Sequence, residues 1–458
     1  MTATPAAIVL GGRESGMAVI RALGRRGVPL ISVCHADDEH AMASRHVTTA
    51  IRGPHPERDE ARYLQLVDDV AAANPGGLLI PVSDATLVAT SRHRERFERH
   101  VRVACMDWAT VDRCIDKSRT YALAEADGVP VPHTLYPSSV EELAESSRGL
   151  RMPCVVKPRM VHLFAPVFQR KMIKVYDQES LIRVWKAVND ARFDALVQEF
   201  VPGPDHNGAN YNAYVVDGEV WAECTAHKLR SYPAEVGSPR LVLSRDLPEV
   251  KALGRRVLRS LGVYGFANVE FKRDERDGVF TLMEVNCRHN MSAALAVRCG
   301  VNFPLIQLDH LLRGERPPAA DAESGVYWIS VANDLAEGAK LIARGQASLR
   351  YFRPHVHPHV HDFLDVRDPR PFARLAANRL RRFGAKRLAT VRRGVVAPGV
   401  GYPPARGDAA VGDGLDVARD LSTARKDVRP IRVVARCRFR AAKGPEQRSP
   451  TTPPALSA

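Results

Sequence analysis

Phe280-Thr-Leu-Met-Glu284-Val-Asn286-Cys-Arg288, read together with Glu270 inside Asn268-Val-Glu-Phe271, is the stretch on which the reading of this chain turns. The run from 280 to 286 alternates and is rich in strand formers, so Glu284 and Asn286 project from one face of a strand. Glu270 falls on the neighbouring strand, with Arg273-Asp-Glu-Arg-Asp-Gly278 as the turn between them. Three oxygen donors then converge across one hairpin. Such hard ligands suit Mg²⁺, which keeps several waters and takes the rest of its shell from a few carboxylates and from substrate phosphates. Arg288, two residues beyond Asn286, is placed to meet the charge on a transferring phosphoryl group. A solvated hairpin edge would carry the same letters, so the flanking sequence has to decide.

Upstream, Asp116-Lys117-Ser-Arg-Thr-Tyr-Ala-Leu-Ala-Glu-Ala-Asp-Gly128 predicts a helix closed by glycine, followed by a Pro-bounded extended segment to Pro132. Pro153-Cys-Val-Val-Lys157-Pro158 predicts a short buried strand that delivers one lysine, and a lysine in such a strand needs a partner. Leu196-Val-Gln-Glu-Phe-Val-Pro-Gly203 predicts a strand running into a turn. In this order, and ending at Glu270, Glu284, Asn286 and Arg288, the segments resemble the ATP-grasp superfamily of carboxylate–amine ligases over roughly residues 5–318.

The resemblance implies an α/β chain with a Rossmann-like pre-ATP-grasp domain over 1–115 and a two-lobed α+β ATP-grasp domain over 116–318, its lobes meeting near 196–203. A mostly helical extension over 319–392 and a basic, disordered tail over 393–458 follow. It also implies roles. Lys117 and Lys157 hold ATP phosphates, as compact point charges on flexible stems. Gln198, Glu199, Phe200 and Val201 bracket adenine, and Asp205 contacts ribose. Glu270, Glu284 and Asn286 hold Mg²⁺, with Mn²⁺ as a substitute, and Arg288 lies beside the transferring phosphate.

One segment departs from the superfamily pattern. The loop after Lys157, residues 159–174, contains no glycine where many relatives use a Gly-rich loop over the phosphates. Arg159, His162, Arg170 and Lys171 offer side-chain charge instead. A similar glycine-poor loop occurs in the D-aspartate ligase-like branch, as does a motif like His227-Lys228-Leu-Arg230-Ser-Tyr-Pro233. That motif lies on the strand after the hairpin turn Asp217-Gly218, and alternation puts Lys228 and Arg230 on one face. They would anchor a phosphate or the substrate carboxylate; an exposed basic strand is the plainer alternative.

The chemistry implied is amide formation between a carboxylate and an amine, an amino acid or peptide, through an acyl phosphate. ATP phosphorylates the carboxylate, and phosphate then leaves as the amine attacks. Phosphoryl transfer depends chiefly on positioning and charge neutralisation. Two rival readings are another ATP-grasp phosphoryl transfer, of kinase or carbamoyl-phosphate type, and a non-catalytic nucleotide-binding protein.

The N-terminal Ala6-Ala-Ile-Val-Leu-Gly-Gly-Arg-Glu-Ser-Gly16 predicts a buried strand, a glycine turn and a helix, with Val28–Cys34 as the next strand. Gly-Gly-x₃-Gly is not the dinucleotide fingerprint, although Asp37 and Asp38 stand near the distance at which a ribose contact falls. Asp84, after Leu78-Leu-Ile-Pro-Val-Ser83, is a candidate substrate contact at the cleft. Asn290 and Ser292 are candidates for the acceptor pocket.

A chain of 458 residues with 45% hydrophobic and 26% charged residues is ordinary for a soluble globular protein of two or three domains. It has no apolar run of the roughly 18 residues a membrane span requires. Eight scattered cysteines without a Cys-x-x-Cys pair fit a reducing, cytoplasmic setting. The net charge of +14 is concentrated at the end: residues 376–458 hold 18 Lys and Arg against 6 Asp and Glu. The body is therefore nearly neutral. Membrane-surface contact through this tail is one reading, and an unconstrained extension is the favoured one; nucleic acid is not expected, because base-reading motifs and interleaved aromatics are missing. His355-Val-His-Pro-His-Val-His361 has the composition of a zinc site, but Pro358 interrupts it. Many members of the superfamily pair through their grasp lobes, so the resemblance leaves a homodimer open, and the sequence does not decide the oligomeric state.

Overall fold

The computed structural model describes residues 5–158, 172–191, 193–235, 237–318 and 320–393. The glycine-free loop over 159–171 and the tail beyond 393 lie outside the described residues, and with them the expectations placed there.

Three sheets organise the chain. The first joins β1 (Ala7–Leu10), β2 (Leu30–Cys34), β3 (Val47–Arg52), β4 (Leu78–Pro81) and β5 (Arg102–Val103) in the order β3-β2-β1-β4-β5. All its neighbours pair in parallel. Every residue of β1, β2 and β4 is buried, as a parallel sheet covered on both faces requires. The glycine turn after β1 has a steric cause: a Cβ at Gly16 would lie 2.3 Å from the Gly11 carbonyl oxygen. Close approach of helix Glu14–Gly24 to the turn therefore accounts for glycine at that spacing.

The second sheet is smaller. It holds β6 (Thr134–Leu135), β7 (Cys154–Pro158), β8 (Ile173–Val175) and β9 (Ala195–Glu199) in the order β6-β9-β7-β8, with antiparallel neighbours. Helix Gln178–Asp190 covers it with Leu181, Val184, Trp185 and Val188, spaced as one helical face.

The third sheet has seven strands: β10 (Gly208–Val216), β11 (Glu219–Tyr232), β12 (Ser238–Ser244), β13 (Gly265–Arg273), β14 (Phe280–Asn286), β15 (Tyr327–Ile329) and β16 (His359–His361). Their order is β14-β13-β10-β11-β12-β15-β16. Asp217 and Gly218, both with positive φ, make the tight turn between β10 and β11. Helix Pro248–Ser260 lies on one face through Val250, Val257 and Leu258. It can approach because residue 254 is glycine: a Cβ there would stand 2.2 Å from the Tyr211 ring.

The extension is helical over Val331–Ala343 and Arg370–Arg393, and it also supplies β15 and β16, whose Trp328 and Ile329 are fully buried. It returns to the first sheet and is pinned there by a buried ionic knot. Arg21 Nε donates to Asp368 Oδ2 at 3.1 Å, and its other nitrogens donate to the carbonyls of Asp362 and Phe363. Asp368 also accepts from Ser44 Oγ at 2.7 Å and from the Arg45 N–H at 2.9 Å.

Removing one partner of a buried pair leaves the other uncompensated, which typically costs about 3–5 kcal/mol. Asp368→Ala should lower stability by about that amount in chemical denaturation and expose the 359–393 segment to limited proteolysis. Unchanged stability would mean that the extension docks by other contacts.

Candidate functional site

Strand pairing builds one polar face across the third sheet. Glu270 on β13 stands opposite Glu284 on β14, and Asn268 opposite Asn286. On its other side β13 places Asn268, Glu270 and Lys272 opposite Asn212, Asn210 and Gly208 of β10. Paired residues share a face, so the carboxylates, the asparagines, Lys272 and Lys228 (opposite Gly208) all project together. Gly208 leaves the room Lys228 uses: a Cβ there would sit 3.1 Å from the lysine's own Cβ.

Each carboxylate of the pair holds a lysine. Lys228 Nζ donates to Glu270 Oε2 at 2.8 Å, and Lys117 Nζ to Glu284 Oε1 at 2.9 Å. Lys117 reaches the site because helix Lys117–Ala126, capped by Asp116, is tied to β14 by the Tyr121 hydroxyl donating to the Met283 carbonyl at 2.8 Å. Burial works against the charge of both lysines, but the neighbouring carboxylates override it and raise both pKa values. Asn286 donates from Nδ2 to Asn268 Oδ1, and Asn268 in turn donates to Asn212. That chain turns Asn286 Oδ1 toward the site, where it accepts from Arg288 Nη2 at 3.2 Å.

Arg288 lies beyond the end of β14 and forms a two-point pair with Asp84, at 2.6 and 2.8 Å. Burial opposes the Arg288 charge, and Asp84 more than restores it. Asp84 opens helix Asp84–Arg92 at the C-terminal end of β4, where open parallel sheets commonly place ligand contacts. A cavity of about 620 Å³ extends from this pair along the glycine turn, past Glu14 and Met291, to Phe363 and Arg379 of the extension.

Lys157 sits across from the acidic pair, 5% exposed, with Gln198 Oε1 as its neutral partner at 2.6 Å. Burial, with the Lys117 ammonium second, lowers its pKa to about 7. Gln198 is fixed in turn by donating to Thr134 Oγ1 at 2.8 Å, so its side chain orients Lys157. The Glu199 carboxylate turns away to the Arg151 N–H and Arg276. The Phe200 ring centroid lies 3.6 Å from Lys174 Nζ and 4.8 Å from Lys272 Nζ, and Val201 is buried. Both Asp205 oxygens accept backbone N–H groups, of Ser231 and Glu235 at 2.7 Å, so a ribose hydroxyl would share them.

The structure thus brings together Lys117, Lys157, Lys228, Glu270, Glu284, Asn286 and Arg288. Arg230 does not join them. The register of β11 against β12 slips between Lys228 and Arg230, which face Val242 and Leu241, adjacent residues of β12. Such a bulge breaks the alternation and turns Arg230 to the opposite face. There it bonds Asp334 at 3.2 Å and the Tyr351 carbonyl at 2.8 Å, with its guanidinium 3.6 Å from the Tyr351 ring centroid. His355 bonds the same Asp334 at 3.1 Å. Among the described residues, no three His, Cys, Asp or Glu side chains gather as a metal-binding group. That includes the 355–361 histidines. Sequence reasoning passed over Lys272 and Asn268, although both share the alternation that marks Glu270.

Two carboxylates and an oriented amide oxygen are a sparse, hard donor set, and they fit Mg²⁺, which takes the rest of its shell from water and phosphate. A family model described as "ATP-grasp in the biosynthetic pathway with Ter operon" matches residues 237–332. The chain is 26% identical over 237 residues to a D-aspartate ligase of Enterococcus faecium, covering 49% of this chain and 56% of that relative. It is 24% identical over 329 residues to a D-alanine–D-alanine ligase of Stutzerimonas stutzeri, covering 67% and 92%. Among solved structures it is similar to the ADP complex of N5-carboxyaminoimidazole ribonucleotide synthetase (TM-score 0.57, 13% identity, 75% of this chain and 86% of that one). It is also similar to an L-amino acid ligase from Bacillus licheniformis (TM-score 0.52, 16% identity, 69% and 78%). No helix among the described residues is long and apolar enough to cross a membrane.

The lowered Lys157 pKa has a signed consequence. A lysine whose folded pKa lies below its unfolded value of about 10.4 binds more protons when unfolded, so its contribution to stability rises with pH between those two values. The stability difference between wild type and Lys157→Met should therefore move in favour of wild type by roughly 2–4 kcal/mol from pH 7 to about pH 10. Parallel pH dependence of the two proteins in ligand-free denaturation would show that Lys157 keeps an ordinary pKa.

Proposed function

We propose that this chain, which has the ATP-grasp fold, is an ATP-dependent ligase that joins a carboxylate to an amine through an acyl phosphate. The observation that carries the reading is the polar face of the third sheet. Oxygen donors Glu270, Glu284 and Asn286 and the guanidinium of Arg288 stand on one side, with Lys117 and Lys157 facing them. In this reading residues 1–115 are the Rossmann-like pre-ATP-grasp domain and 116–318 the two grasp lobes, with Gln198–Val201 at the adenine and Asp205 at the ribose. The donor substrate is an amino acid or small carboxylate, as in the relatives, and the acceptor is an amine.

Bound at Glu270, Glu284 and Asn286, Mg²⁺ would neutralise phosphate charge and order the triphosphate. The chain's own groups do the rest. Lys117 and Lys157 position the phosphates, and Lys157, held by Gln198, is pre-aimed before any ligand arrives. Arg288 meets the charge that builds on the transferring group, and Asp84 holds its guanidinium in one orientation by the two-point pair. Holding the carboxylate against the nucleotide converts a bimolecular reaction into an effectively unimolecular one, a gain of up to about 7–11 kcal/mol. The cavity beside Arg288 is of a size that ordinarily encloses a small-molecule ligand, and it is the proposed acceptor site. Lys228, through Glu270, sets the geometry of the oxygen donors; Arg230 acts only on the packing of the extension.

The purified chain should release ADP and phosphate from Mg-ATP when supplied with the right members of an amino acid and carboxylate panel. Glu284→Gln should reduce that release by roughly 10²–10³-fold, the range for removing one electrostatic group from a transition-state site. Amide product should appear in step with ADP. ADP and phosphate without amide would move the reading to another phosphoryl transfer, and failure of Mg-ATP to raise the unfolding temperature would sink it.

A further inference from the structure

Along β13, Asn268, Glu270 and Lys272 alternate onto the site face, and the first two are satisfied by Asn212 and Lys228. Lys272 is not. The residue is 8% exposed, and its buried Nζ has no hydrogen-bond partner among the described residues. A buried ammonium that lacks an anion is costly to keep, so the position asks what completes it.

Its surroundings narrow the answer. The Phe200 ring lies 4.8 Å from Nζ on one side, and that ring carries a second cation, Lys174, on its other contact at 3.6 Å. Lys174 is paired with Glu235 at 3.0 Å. Asp205, a second nearby carboxylate, is engaged by two backbone N–H groups, and Glu275, a third, acts on Lys272 more weakly without a hydrogen bond to it. None reaches Lys272 as a hydrogen-bond acceptor. Lys117 and Lys272 are both charge neighbours of Lys157. Lys117, Lys157 and Lys272 therefore face a common space with Glu284 as the one carboxylate bonded to any of them among the described residues. The row has an orientation. Its Lys117 end is fastened to the oxygen donors, and its Lys272 end abuts Phe200, where the adenine is read.

We propose that Lys272 is a nucleotide-binding residue that holds the phosphate nearest the nucleoside, the α-phosphate, as a third phosphate lysine, and so favours nucleotide over nucleoside. The proposal rests on the nucleotide-site reading above. A base nitrogen or ribose hydroxyl would satisfy a hydrogen bond but leave the desolvated positive charge unmatched; a phosphate satisfies both. Lys272 then has opposite effects in the two states of the protein, destabilising it when ligand-free and strengthening its hold on an adenine nucleotide.

The test compares wild type and Lys272→Met in the full chain. Calorimetric titration gives Kd for Mg-ADP and AMP, with adenosine measured at millimolar concentration as a competitor of Mg-ADP; thermal unfolding is recorded without ligand. Lys272→Met should weaken Mg-ADP and AMP by roughly 10- to 100-fold while leaving adenosine within about threefold. The ligand-free unfolding temperature should stay equal or rise, because an unpaired buried charge is replaced by an apolar chain of similar length. Equal weakening of adenosine, no weakening of AMP, or a lower ligand-free unfolding temperature would each overturn the assignment. If wild type itself binds no Mg-ADP, it is the nucleotide-site reading that fails, and the Lys272 assignment falls with it.

Discussion

The register between β13 and β14 is the constraint on which the rest of the site depends. Pairing Glu270 with Glu284 and Asn268 with Asn286 decides which side chains share a face, and a shift of one residue would send the whole set to the opposite side. The turn over 274–279 and the single irregularity between Glu270 and Phe271 hold that register. Once it is set, the lysines follow by charge. Lys228 and Lys117 converge on the two carboxylates, the first from β11 across the intervening β10 and the second from helix Lys117–Ala126.

Charge on this face is deliberately unbalanced. Among the described residues, two of the lysines have carboxylate partners, while Lys157 has the Gln198 amide and Lys272 no hydrogen-bond partner. Burying cations in this way lowers stability and raises affinity for whatever brings negative charge, which is a common trade at functional sites. Placing an anion among preformed cations also means that little reorganisation is needed at the moment of reaction. The Asp84–Arg288 pair extends the same logic to the boundary with the parallel sheet, so that the arginine is held in one orientation next to the 620 Å³ cavity.

The extension belongs to the architecture of that cavity. By adding β15 and β16 to the large sheet and returning to Arg21, it brings Phe363 and Arg379 into the lining of the cavity together with the glycine turn. Arg230 serves this docking through Asp334 and Tyr351, and His355 joins the same carboxylate. A motif that reads as substrate-binding chemistry in the sequence thus does two jobs: Lys228 on the site face and Arg230 beneath it.

Much of this was legible in the letters alone. Alternation around Glu270, Glu284 and Asn286 gave the hairpin and its shared face, because period two is a local property of a strand. The helix carrying Lys117, the strand carrying Lys157 and the turn at Asp217-Gly218 were equally local, each marked by a cap, an apolar run or residues that tolerate positive φ. The sequence by itself therefore determined the local elements that carry the candidate residues and their order along the chain. Only the tertiary structure decided the partners: that Arg230 leaves the site, that Asp84 holds Arg288, that Gln198 serves Lys157, and that Lys272 is buried with no hydrogen-bonded anion among the described residues. The physical reason is that a bulge, a long-range ion pair and the desolvation of a charge depend on what the rest of the chain places nearby, and no spacing along the sequence encodes that.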